Sequence, residues 1–277
     1  MKLCLVNGIQ QNHIDIESRG LAYGDGLFTT AKISHGKVEY LTQHIERLTA
    51  GCEKLGISVP CANELTSQLT SIAKDYPLAV LKVIISARSG GRGYARSPHN
   101  HHDVIIMVHD YPTHYQAHAR TGINLGLSKQ QIGINPMLSG LKHLNRLEQV
   151  LLRQELSVSD VDDLLVTNIN NDVIEVTSAN LFYFLNEQLY TPDVSQSGVN
   201  GIMRQAILKC YPNTIIKTVS LDDIQQAQAI FVCNCVMGVI PIANFNEKKL
   251  SVELPLEIAL GIHNNINRYE TILTTKR

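Results

Sequence analysis

Apolar residues fall at two spacings along this chain, and the spacing changes mark its elements. Leu41, Ile45, Leu48, Cys52 and Leu55 recur at steps of four and three, one face of a helix that Gly56 can end. A second helix is predicted over Ala62–Asp75. Met1–Ile9 reads as a strand turned by Asn7-Gly8, and the β-branched runs Ala79–Ala87 and Val104–Val108 read as two more. Between those runs lies Arg88-Ser-Gly-Gly-Arg-Gly-Tyr94, followed by Pro98 and His99, which is too glycine-rich for a core. It is expected to be a long, flexible loop of the kind that often carries function.

The pattern lapses around Asp110–Thr121, where polar residues surround Pro112, and this segment is expected to be a linker. A strand at Ile123–Ser128 restarts it. A helix is predicted from Leu144, Leu147 and Leu151, with Leu152 and Leu156 widening its apolar face. Strands at Asp163–Thr167, Val173–Thr177 and Leu181–Leu185, separated by turn residues at Asn168–Asp172 and Ser178–Asn180, predict a meander. A helix at Gly201–Cys210, a strand at Ile230–Val236 and a helix from about Pro255 complete the reading. The domains expected are an N-terminal α+β domain at 1–110, a linker at 111–121 and a C-terminal domain at 122–277.

Composition narrows the partners. With 24 Lys plus Arg against 25 Asp plus Glu the formal charge is −1, which supplies no field for nucleic acid or an anionic membrane. At 44% hydrophobic and 18% charged, the 277 residues read as globular, and the lack of Trp points to an aliphatic core. Six scattered cysteines without a CxxC pair read as reduced thiols. The start, MKLCLVNGIQQNH, does not read as a signal peptide, and the apolar runs are strand-length. A cytoplasmic protein without membrane or nucleic-acid partners is expected.

Several chemical signals are weak. Gly24-Asp-Gly26 resembles the opening of a dinucleotide fingerprint, but Thr29 stands where its third glycine belongs. His114 and His118 have helical zinc spacing, yet Tyr115 replaces the glutamate of a metalloprotease, and His99, His101 and His102 sit in a polar loop. No metal is expected. No Gly-x-Ser-x-Gly elbow occurs.

Three other segments point to one chemistry. Lys142 follows a glycine-containing turn at Ser139-Gly-Leu. Glu175 is an acid inside a β-branched strand, where a buried carboxylate needs a cationic partner. Gly198-Val-Asn-Gly201 precedes a helix whose first amides can bind phosphate. A lysine to hold an aldehyde, an acid to keep a pyridine nitrogen protonated and a phosphate cradle are what a pyridoxal 5'-phosphate site requires.

Tyr23-Gly-Asp-Gly-Leu-Phe-Thr-Thr30, His44-Ile-Glu-Arg47-Leu, Gly90-Gly-Arg-Gly-Tyr94, Lys142-His-Leu-Asn-Arg-Leu-Glu-Gln, Glu175–Asn180 and Gly198–Arg204 extend the match over essentially the whole chain. Together they resemble the fold-type IV pyridoxal phosphate enzymes, the group of branched-chain and D-amino acid aminotransferases. The Lys142, Glu175 and Gly201 motifs belong to the whole group. The lysine run, the Gly-Gly-Arg-Gly-Tyr loop and Thr29-Thr30 are more like its lyase branch, which converts 4-amino-4-deoxychorismate to 4-aminobenzoate and pyruvate in folate synthesis. Aminotransferases of the group usually carry Glu at the position of Thr29, and an aminotransferase is the alternative activity.

The resemblance implies an α+β, two-domain fold of the D-amino acid aminotransferase-like type. It has a smaller N-terminal α/β domain, a larger β-rich C-terminal domain and the cofactor between them. It implies that Lys142 holds the cofactor and moves the proton, that Glu175 pairs with the pyridine nitrogen, and that Arg47 with the amides of Ile202 and Met203 binds the phosphate. The Asn234-Cys235 turn matches a second phosphate contact, with Cys235 in place of the usual Thr. Arg92 and Tyr94 match a loop that meets a substrate carboxylate, Thr30 a hydroxyl beside the cofactor, and Asn180 and Arg146 residues near it. A homodimer is implied, and an aminodeoxychorismate synthase is the functional partner to expect.

Overall fold

The computed structural model describes residues 1–98 and 101–262, in two compact units. Unit 1 comprises Met1–Pro112 with Leu141–Arg146, and unit 2 comprises Thr113–Gly140 with Leu147–Arg277.

Unit 1 contains β1 (Leu3–Val6), β2 (Ile9–Gln10), α1 (Arg19–Tyr23), β3 (Gly26–Ser34), β4 (Lys37–Val38), α2 (Leu41–Leu55), α3 (Ala62–Ala73), β5 (Leu78–Ala87) and β6 (His102–His109). Its antiparallel sheet runs β2-β1-β6-β5-β3-β4. Asn7 and Gly8, both at positive φ, turn β1 into β2 as their sequence predicts. In β3 the odd positions Leu27, Thr29, Ala31 and Ile33 are buried, and the even ones from Phe28 on are half-buried. The buried face joins Ile45, Leu48 and Cys52 of α2 and Leu65 and Leu69 of α3 in one core.

Unit 2 contains α4 (Tyr115–Thr121), β7 (Ile123–Ile132), α5 (Leu147–Leu156), β8 (Asp163–Asn168), β9 (Val173–Val176), β10 (Asn180–Leu185), β11 (Gln188–Pro192), α6 (Ile202–Cys210), β12 (Ile215–Lys217), α7 (Leu221–Gln226), β13 (Ala229–Asn234), β14 (Gly238–Phe245) and β15 (Lys248–Lys249). A further helical segment occupies 253–262. The sheet follows β12-β11-β10-β13-β14-β7-β8-β9, and β9 also pairs with β10, so six of its strands close into a circuit. Phe182 and Phe231 are cross-strand partners on β10 and β13; both are fully buried, with parallel rings 5.0 Å apart. Among the described residues no helix is long and apolar enough to cross a membrane.

Four expectations need correction. Residues 115–121 of the expected linker form α4, within unit 2. Leu144 is not helical: α5 begins at Leu147, and residues 141–146 pair with the start of β3 through a bridge between Leu27 and His143. Of the expected apolar face of α5, Leu152 and Leu156 are buried while Leu147 and Leu151 are exposed, so only the residues expected to widen the stripe meet the core. Strands β3 and β14 lacked a prediction; Pro241 disguises β14, and its missing N–H falls one residue before the pairing with β7 begins at Ile242. His99 and the part of the expected C-terminal helix beyond 262 lie outside the described residues.

Candidate functional site

In unit 1, two backbone bonds dock the 141–146 segment onto β3. Phe28 N–H donates to the Lys142 carbonyl at 2.9 Å, and Leu144 N–H to the Gly26 carbonyl at 3.0 Å. Lys142 Nζ then lies 4.8 Å from the centre of the Phe28 ring. Thr30 is two residues on along β3, on the same face as Phe28. Its cross-strand partner is Lys82, whose ammonium approaches the same ring at 5.0 Å. Lys142 and Thr30, assigned from separate motifs, thus belong to one face, and Lys82 joins them unforeseen. Arg146 turns back on its own segment, donating to the carbonyls of His143 at 2.8 Å and Leu141 at 2.7 Å. This ties the short stretch carrying Lys142 into a fixed loop.

Thr29 points the other way, into the core. Its hydroxyl is 2.5 Å from Nδ1 of His44 on α2, and both side chains are almost fully buried. Burial first, and the nearby Arg47 charge second, push the His44 pKa down to about 3, so the imidazole is neutral. The α2 helix presents the half-buried Arg47 one turn after His44.

The segment carrying Arg92 and Tyr94, expected to be flexible, is pinned. The buried Arg19 guanidinium donates to three successive carbonyls, Gly93 at 3.0 Å, Tyr94 at 2.9 Å and Ala95 at 3.3 Å. Its Nε donates to Asp25 at 2.9 Å. Arg96 meets the same carboxylate through Nε at 2.9 Å and Nη2 at 2.5 Å. The side chains of Arg92 and Tyr94 are exposed, with the Tyr94 ring 5.5 Å from that of Tyr23.

In unit 2, Glu175 and Asn180 are direct partners where β9 meets β10, and both are buried. Together they grip the turn at 198–201. Glu175 Oε2 accepts from Val199 N–H at 3.1 Å, Asn180 Nδ2 donates to the Val199 carbonyl at 2.8 Å, and Asn180 Oδ1 accepts from Gly201 N–H at 3.1 Å. A Cβ at Gly201 would collide with Asn180 Oδ1, and one at Gly198 (φ 84°) would come within 3.2 Å of Glu175 Oε2. Gly201 is the N-cap of α6 and brings no side chain to the amides of the first turn, those of Ile202 and Met203 among them. Arg204, also buried, braces the turn by donating to Asn200 Oδ1 at 3.0 Å and to the Pro192 carbonyl at 3.0 Å. Asn180 pairs with Cys233, so the turn at Asn234-Cys235 starts beside it. Asn234 Oδ1 accepts from Val236 and Met237 N–H, both at 2.9 Å, and the Cys235 side chain is buried.

Unit 2 therefore brings together Glu175, Asn180, Ile202, Met203 and Cys235, whereas unit 1 holds Lys142 and Thr30 on one face, Arg47 on α2, and Arg92 and Tyr94 on the pinned segment. Sequence reasoning missed Arg19 and Arg96, 77 positions apart, and gave no role to Asp25, although it stands in the quoted motif Tyr23–Thr30. It also missed His44, whose place in a quoted motif was the available signal.

Within unit 2, a carboxylate inside a strand circuit and a side-chain-free turn opening a helix suit a pyridine ring and an anionic group; within unit 1, a lysine on an aromatic face suits an aldehyde. Comparison with known proteins points the same way. The chain is 33% identical to the aminodeoxychorismate lyase of Vibrio harveyi, over 95% of this chain and 98% of that one. The crystal structure of 4-amino-4-deoxychorismate lyase from Pseudomonas aeruginosa superposes with a TM-score of 0.89 at 31% identity, covering 95% of this chain and 98% of the other. A hypothetical aminotransferase from Mycobacterium tuberculosis, in its PLP-bound form, shares the fold with a TM-score of 0.81 at 14% identity, over 94% and 98% of the two chains. The family described as amino-transferase class IV matches residues 26–245, and this chain belongs to it.

Proposed function

We propose that this protein is a pyridoxal 5'-phosphate-dependent lyase that converts 4-amino-4-deoxychorismate to 4-aminobenzoate and pyruvate. The observation that carries this reading is the near full-length similarity to a lyase at 33% identity, in a chain whose Lys142, Phe28 and Thr30 share one site face. When bound, the cofactor supplies an aldehyde that captures the substrate amine and a ring that accepts electrons as a proton leaves.

The chain's own residues do the rest. Lys142 Nζ holds the aldehyde at rest and then takes the proton from ring carbon C4 of the substrate. The carbon–oxygen bond on the adjacent carbon breaks, and the departing enolpyruvate takes a proton from Lys142 or from the Thr30 hydroxyl to become pyruvate. Loss of the proton and of enolpyruvate makes the six-membered ring aromatic, so the protein's main task is orientation. The Glu175 carboxylate keeps a proton on the pyridine nitrogen. Arg47, the Ile202 and Met203 amides and the Cys235 turn bind the phosphate, and Asn180 holds the turn that carries those amides. Arg92 and Tyr94 grip a substrate carboxylate, a task suited to the two-pronged guanidinium.

The reading includes a homodimer, a cytoplasmic place in folate synthesis and delivery of substrate by an aminodeoxychorismate synthase. The test is a product assay with freshly made aminodeoxychorismate. Equal amounts of pyruvate and 4-aminobenzoate support the lyase. Conversion of the bound cofactor to its amine form by amino acids, without either product, would favour the aminotransferase instead.

A further inference from the structure

Three arginines recur at steps of four in the segment after β5: Arg88, Arg92 and Arg96. Arg88 Nε is paired with Asp103 at 2.9 Å, and Arg96 is paired with Asp25. Arg92, exposed, makes no ion pair among the described residues. The two flanking cations are thus each paired with a carboxylate of the protein, and the middle one is left to meet an anion from outside.

What holds Arg92 in place is a second set of charges. Arg19 spends four donor contacts on Asp25 and on the consecutive carbonyls of Gly93, Tyr94 and Ala95, so the chain wraps around its guanidinium. Such a wrap needs a tight backbone, and Gly91 supplies it: at φ 86°, a Cβ there would collide with the Ala95 carbonyl. From the other side, Arg96 Nη1 donates to the carbonyls of Leu55 at 2.7 Å and Gly56 at 2.8 Å, at the electron-rich end of α2. Asp25 lies at the centre, with a side chain only 11% exposed and both oxygens engaged by the two guanidiniums. It is also the residue immediately before β3, the strand that presents Phe28 and Thr30.

We infer that Arg19, Asp25 and Arg96 form a charged clasp that positions Arg92 and Tyr94, and that Asp25 is thereby a positioning residue for recognition of the substrate carboxylate. The inference rests on the proposed lyase activity for its substrate and on the geometry of unit 1 for its mechanism. Asn at position 25 keeps the shape of the carboxylate but removes its charge and one acceptor. Lys at position 96 keeps the charge but loses the fork that spans Asp25 and the α2 carbonyls.

The holoenzyme and its Asp25→Asn, Arg96→Lys, Arg92→Ala and Asp25→Asn/Arg92→Ala variants distinguish the outcomes through two readouts. The first is the rate of tryptic cleavage after Arg92 in Asp25→Asn and Arg96→Lys, which needs no substrate and reports whether the segment is held. The second is kcat and KM for aminodeoxychorismate. The clasp predicts faster cleavage in both variants and a KM raised about tenfold, the size of losing one charged hydrogen-bond partner, with kcat within about threefold of wild type. It also predicts that Asp25→Asn adds little to KM once Arg92 is Ala, because both act through one side chain. Unchanged cleavage, a fall in kcat at constant KM, or a full additional rise of KM in the double variant would overturn it. Should the wild type release neither pyruvate nor 4-aminobenzoate, the lyase reading falls, and cleavage alone decides the clasp: faster supports it, unchanged overturns it.

Discussion

The segment carrying Arg92 and the turn at 198–201 are both irregular stretches that end beside a structured element, yet they are held by different physics. The first is fixed by two guanidiniums and one carboxylate, all remote in sequence. The second is fixed by two neighbouring strand residues, Glu175 and Asn180, through hydrogen bonds to its backbone, and by glycines that leave no room for a Cβ. Tolerance follows from this difference. A turn held by shape fails when an atom is added, whereas a segment held by charge fails when a proton is added or a charge removed.

The largest effect should come from shape. Gly201→Ala drives a methyl into Asn180 Oδ1 at the opening of α6, and should cost about 3 kcal/mol of stability, read from the urea midpoint. The same variant should lose the bound-cofactor absorbance; retention of both would break the contrast. Glu175→Gln is gentler, because the amide oxygen still accepts from Val199 N–H while the charge is gone. It should keep the fold and the turn and lower kcat about a hundredfold.

Buried ionisable groups should show themselves in pH. His44 is buried neutral with a pKa of about 3, below its unfolded value near ~6.5. The unfolded chain therefore binds the proton first, and this contribution is present above about pH 6.5 and lost as pH falls toward about 3. Its slope approaches about 1.4 kcal/mol per pH unit at most. Urea midpoints between pH 7 and pH 4 should decline less steeply in His44→Gln, and equal slopes would remove His44 from the account.

Asp25 gives the smallest effect. Burial alone would raise its pKa, but the hydrogen bonds and charges of Arg96 and Arg19 outweigh burial and hold it below the usual carboxylate range. Its contribution is present above the unfolded value near ~3.9 and is lost as pH falls through the lower folded one. Hydrogen exchange of the Ala95 amide, which donates to the Arg92 carbonyl, corrected for the intrinsic pH dependence, should lose protection only in that acid range, and in Asp25→Asn its protection should be low at every pH.

The same division decides how much was legible in the sequence. The glycines at 198 and 201, Lys142 and Glu175 were readable because local backbone demands, a side-chain-free turn and an acid among β-branched residues, leave marks within a few positions. The helix predicted from Leu144 in fact starts at Leu147, because Leu144 continues a helical spacing that pairing with β3 overrides, and Lys142 lies in that paired segment. The segment after β5 looked flexible because its composition records only glycines and arginines. What pins it lies up to 76 positions away, in Arg19 and Asp25, and no local pattern encodes such a partnership. Strand β3 was missed for a related reason: its Thr29 is a polar residue on the buried face, satisfied by His44 of a helix that follows later.

The central claim is that Lys142 drives the release of two products from one substrate. It is tested most directly by supplying fresh aminodeoxychorismate to the wild-type protein and to Lys142→Ala, with pyruvate and 4-aminobenzoate measured together. The account predicts equal amounts of both products from the wild type and none above background from the variant. A wild type that shows bound-cofactor absorbance but releases neither product, or a Lys142→Ala variant that releases both at the wild-type rate, would contradict it.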